Sequence, residues 1–150
     1  MAHEQRRLTD DRSRSRGWPW IFIVLLCFAA VVFAWRAIIA ITTQVHLGHY
    51  AIAATSCVVA LAWIGGCMGT LHNGRRMRIC AFACWVANLL LAILGLAIPQ
   101  VFDPSNPAYV AGKSYVFLPT CAIVLVLIWH IWSQPAAMAA RQSEESQRRR

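Results

Sequence analysis

Acidic residues are nearly missing from the body of this chain: no Asp or Glu falls between Asp11 and Asp103, and none between Asp103 and Glu144. Proton coupling through an embedded carboxylate therefore lacks its residue. Lysine occurs once, as Lys113, and only 13% of the residues are charged. A soluble domain carries about a quarter. No Cys-x-x-Cys pair occurs, the nearest cysteines being Cys80 and Cys84, four apart. The polar segments contain no Asn-x-Ser/Thr acceptor, because Asn106 is followed by Pro107 and Ala108. Strand-length alternation of polar and apolar residues is also absent, which argues against a transmembrane barrel.

What is present is apolar mass. Hydrophobic residues make up 59% of the 150 and the mean hydropathy is +0.52. They are gathered into four runs near the length of about 20 residues that crosses a bilayer, at about 18–42, 51–71, 79–98 and 115–132. In hydrocarbon the backbone must satisfy its own hydrogen bonds, so these runs are predicted helices. The expected fold is all-α, an integral membrane four-helix bundle over residues 18–133. Basic, polar tails flank it at 1–17 and 134–150, where low apolar content predicts disorder.

Twelve of the fourteen basic residues fall on one side of that zigzag. Arg6, Arg7, Arg12, Arg14 and Arg16 precede the first run; Arg75, Arg76 and Arg78 join the second to the third; Arg141, Arg148, Arg149 and Arg150 follow the fourth. The positive-inside rule then predicts cytoplasmic N- and C-termini in a plasma membrane. Trp18, Trp20, Trp129 and Trp132 at the inner ends, with Tyr50, Tyr109 and Tyr115 near the outer surface, fit aromatic belts. A cleavable signal peptide fits less well: the first run exceeds the usual core of about 7 to 15 residues, and Ala34-Trp35-Arg36 stands where a small-x-small site belongs. Cys27 follows Leu26, which is too large for a lipoprotein box.

The net charge of +8 sits in tails and one loop rather than on a folded surface. Anionic lipid headgroups at the tails and the 72–78 loop are thus the expected partners, and nucleic acid is not. Arg dominates Lys, as in GC-rich genomes.

Helices in lipid approach where small side chains let backbones meet. On the second run Ala51, Thr55, Val58, Ala62, Gly65 and Gly69 follow a 4-3-4-3-4 spacing. Cys80, Cys84, Asn88, Ala92 and Gly95 do so on the third, and Cys27, Ala30, Ala34 and Ala37 on the first. Ala62, Gly65, Gly69, Asn88 and Gly95 are therefore the expected helix-packing residues, with Asn88 placed to hydrogen-bond across helices. Gly65-xxx-Gly69 also suits a homo-oligomer. The fourth run is bulky all round from Ile123 to Ile128 and is expected at the periphery.

Arg36 is the one charge inside a run, about 24 Å along a helix from Trp20. Snorkelling to the outer headgroups accounts for it, and a lipid or anion contact is its functional reading. His46 and His49 offer two nitrogens without an evident third metal ligand, and His130 is interfacial. The six cysteines serve as small apolar residues, with Cys57 and Cys121 the pair whose depth allows a disulfide. No cofactor, metal or catalytic residue is expected.

The basic N-terminal tail, the basic second-to-third loop and Ser114-Tyr115-Val116-Phe117-Leu118-Pro119 resemble the small four-span membrane proteins of unknown function from high-GC Gram-positive bacteria. That resemblance implies a topology and a location and no active residues. The chain is unlike small multidrug exporters, which need a membrane Glu, and unlike quinone-linked disulfide-forming enzymes, which need Cys-x-x-Cys. The expected function is a non-enzymatic structural, assembly or accessory component, with a small oligomeric transporter or channel subunit as the alternative.

Overall fold

A computed structural model describes residues 19–72 and 75–132. The 1–17 and 134–150 tails, Trp18 and positions 73 and 74 of the basic loop lie outside the described residues. Among the described residues every regular element is helical. The order is α1 (Pro19–His46), α2 (Tyr50–Leu71), α3 (Arg75–Ala97), a 3-10 turn (Pro99–Val101), a 3-10 segment (Tyr109–Tyr115) and α4 (Leu118–Trp132).

The three-residue turn from α1 to α2 is made by Gly48, whose φ of 76° lies in the left-handed region that glycine enters freely. There the Gly48 and His49 amides donate to the Val45 and Gln44 carbonyls. Consecutive helices are neighbours, α1 on α2, α2 on α3 and α3 on α4, and the bundle is closed at the turn end by residues 98–117.

An aromatic stack fills the centre. Trp63 and Trp85 are at most 1% exposed and meet edge to face with centroids 5.2 Å apart. Phe33 of α1 lies 4.8 Å from Trp63 and 5.4 Å from Tyr115. The Trp85 indole fits because residue 66 is glycine: a Cβ there would come within 2.7 Å of Trp85 Cε2. Its N–H donates to the Thr70 hydroxyl at 3.1 Å, and that hydroxyl donates to the Gly66 carbonyl at 2.7 Å. The buried indole is thereby satisfied.

The buried face of α2 runs through Ala53, Ser56, Val59, Ala60, Trp63, Gly66 and Cys67. It also takes in Ala62 and Gly69 of the small stripe seen in the sequence, whose Ala51 and Val58 are exposed. A packed tryptophan pair sets the contact. The α4 helix is not purely peripheral either, since Ile123, Val126 and Leu127 are buried in the common core.

The outward faces are apolar. Ile21, Leu25, Val31, Trp35, Leu61 and Ile79 are each more than half exposed. Three helices are long and apolar enough to cross a membrane, or up to four if the bent pair Tyr109–Tyr115 and Leu118–Trp132 forms one span. The sequence predicts a straight fourth helix from residue 115, whereas these two pieces are bent by 113° and α4 starts at Leu118. Pro119 explains the break. In a helix running through from Tyr115 its ring would meet the carbonyl four residues back, but in the first turn it costs nothing. Val116 and Phe117 take left-handed φ values of 55° and 59° to turn the chain into α4.

Candidate functional site

Polar side chains gather at the turn end of the bundle, where residues 98–117 lie over the ends of α1, α2 and α3. Asp103 is the organiser. Its Oδ1 accepts from the Ser105 amide at 2.8 Å and from the Ser105 hydroxyl, and its Oδ2 accepts from Gln44 Nε2 of α1 at 3.1 Å. With Nε2 donating, Gln44 Oε1 accepts from His49 Nδ1 at 2.9 Å. Burial raises the Asp103 pKa, but the Ser105 and Gln44 donors and the Arg36 charge outweigh it and hold the carboxyl below its ordinary value.

Further bonds tie this cap down. Thr55 of α2 donates to the Val101 carbonyl at 2.6 Å and Tyr115 to the Ser105 carbonyl at 2.7 Å. The Ser114 hydroxyl donates to the Pro104 carbonyl and Thr120 of α4 to the Ala111 carbonyl. On α3, Gly95 faces the Ala108 carbonyl so closely that a Cβ would overlap it. The Asn106 side-chain oxygen accepts from the Ala108 amide, forming the turn that the Asp103-to-Pro107 composition encodes.

Between α1, α2 and the cap lies a cavity of about 10 Å3, room for one water-sized group. Arg36, Ser56, Ser105 and Asn106 contribute its polar lining, and Phe33, Ala37 and Val59 much of the rest. The Ser56 hydroxyl is buried and has no hydrogen-bond partner.

Of the residues singled out in the sequence, Ala62, Gly69, Asn88 and Gly95 are buried and Gly65 is half-buried. Gly65 faces Cys84, and Gly69 faces the Met77 carbonyl and Ala81. Asn88 corrects one expectation: its amide donates to the Cys84 carbonyl of its own helix, not across helices, and its Oδ1 is buried without a partner. A carbonyl one turn back lies within reach of an Asn side chain in any helix. Arg36 is exposed on α1 and borders the cavity. Of these six, Arg36 and Gly95 reach the cap, Gly95 through backbone contact with Ala108.

All six cysteines are free thiols, and Cys57 and Cys121 are both exposed. Among the described residues no three His, Cys, Asp or Glu side chains come together to hold a metal. His130, expected at the interface, is 4% exposed with its ring 5.1 Å from that of Trp129 and Nδ1 3.1 Å from the Val126 carbonyl.

The sequence reading passed over Ser56 and Gln44. A serine among apolar residues was the available signal for the first. Gln44 gave none, because its partner is 59 positions away.

No family model matches the chain, and neither a curated protein nor a solved structure matches it.

Proposed function

We propose that the chain is a multi-pass plasma-membrane protein with both termini cytoplasmic, acting as a non-enzymatic structural, assembly or accessory component. The belt of exposed large apolar side chains around three long helices carries the membrane part of this reading. Water would leave that surface unsatisfied, whereas lipid tails match it.

The accessory role is supported by what fills the interior. Phe33, Trp63 and Trp85 fill the centre of the bundle, where a conduit within one chain would run, and several polar groups of the cap are engaged with one another or with the helices. A packed interior suits a part that holds a shape or a partner. The arginine distribution supports the orientation, with anionic headgroups as the counter-charge at the cytoplasmic face.

Alkaline carbonate extraction tests the first part: the protein is expected to stay in the membrane pellet, and its release would sink the reading. Reporters at the two termini are expected to be active only in the cytoplasm. Purified protein in liposomes is expected to move no ion or solute above empty vesicles, and reproducible flux would favour a transporter subunit instead.

A further inference from the structure

The cavity beneath the cap has a buried hydroxyl without a partner, Ser56, and two further donors beside it, Asn106 and Arg36. Ser56 is 2% exposed and its hydroxyl proton has no recipient. The Asn106 amide N–H2 makes no hydrogen bond among the described residues, its oxygen being used by Ala108. Arg36 forms no hydrogen bond or ion pair there and acts on Asp103 only at longer range. Ser105, the remaining polar group, is already committed to Asp103.

Three donors, one of them cationic, want an anionic oxygen. Only one water-sized group fits inside, so a single oxygen enters while the rest of the ligand stays at the mouth beside exposed Arg36. The rest of the wall is apolar, from buried Phe33, Ala37 and Val59, and about 24 Å of helix from Trp20 to Arg36 sets the mouth at the far headgroup level.

We propose that this cleft binds the phosphate of an outer-leaflet phospholipid, one phosphate oxygen seated between Ser56 and Asn106 and the others paired with Arg36. The assignment rests on the membrane orientation proposed above. The bound lipid joins α1, α2 and the cap and satisfies the buried hydroxyl.

The test is a thermal-unfolding titration of the full chain in a phosphate-free maltoside detergent. Its probes are dioleoylphosphatidylglycerol, dioleoylglycerol with the same tails and no phosphate, and inorganic phosphate. Only the phospholipid is expected to raise the Tm saturably. Arg36→Gln and Ser56→Ala are each expected to move its half-saturation up about tenfold, and Lys113→Gln, on the same end, to leave it unchanged. Without lipid, Ser56→Ala is expected to unfold at or above the wild-type temperature, because the unpartnered hydroxyl is gone. That result separates lost binding from lost folding. An equal shift with dioleoylglycerol, an equal shift with inorganic phosphate, an unchanged midpoint in both variants, or no shift at all would each overturn the assignment. Carbonate extraction keeps the two readings apart: a flat titration on a protein that stays in the pellet removes this site alone.

Discussion

At Gly66 a single missing methyl group decides how α2 and α3 meet. In lipid, apolar burial itself drives little, so the loss on substitution is one of packing. Gly66→Ala is expected to lower stability by about 1–3 kcal/mol, read as a reduced Tm in detergent. Thr70 acts through a hydrogen bond to the same indole. Thr70→Val leaves the Trp85 N–H buried without an acceptor, at a cost of about 1–3 kcal/mol, while Thr70→Ser is expected to restore it; a double-mutant cycle with Trp85→Phe measures the coupling. In both cases the neighbour's shape or polarity sets the effect.

The cap concentrates backbone strain and charge in one element. Val110, Ala111, Val116 and Phe117 all adopt positive φ, a conformation costing non-glycine residues about 1–2 kcal/mol each. Val116 is 80% exposed, so its side chain contributes little packing there. Val116→Gly removes that strain but adds unfolded-state freedom worth about 0.5–1 kcal/mol; a net gain of roughly 0.5 kcal/mol is expected in unfolding. Gly112 has φ of 81°, and a Cβ there would lie 3.1 Å from the Pro107 carbonyl, so Gly112→Ala is expected to destabilise by about 1–2 kcal/mol.

Asp103 makes the cap sensitive to acid. Its folded pKa is lowered, so its contribution is complete above the ordinary carboxylate range and is lost as pH falls through the lowered value. Protease cleavage within 98–117 is expected to accelerate below about pH 4, and Asp103→Asn to abolish that pH step while raising cleavage at neutral pH.

Across the whole molecule, the helices were legible because hydrocarbon imposes length and continuity on each apolar run. The inward face of α2 was legible in part: Ala62 and Gly69 of the small stripe are buried, whereas Ala51 and Val58 are exposed and Ser56, Trp63 and Gly66 beside the stripe carry the rest of the contact. The run from 115 to 132 read as one span, and the break before α4 at Pro119 was not drawn from it. The cap's bonds from Gln44 to Asp103 and from Thr55 to Val101 span 59 and 46 positions, beyond any local pattern. Arg36 was visible as an isolated charge, whereas Ser56 acquires its interest only when the fold leaves it unpartnered.

The cap is fastened separately to α1 through Gln44, to α2 through Thr55 and to α4 through Thr120, and it rests on α3 at Gly95. Breathing of the helices is therefore expected to be polarised, with opening greater at the Trp20 end than at the fastened one. Amide deuterium uptake should climb along α1 from Gln44 toward Trp20, and severing the Gln44 fastening should flatten that gradient.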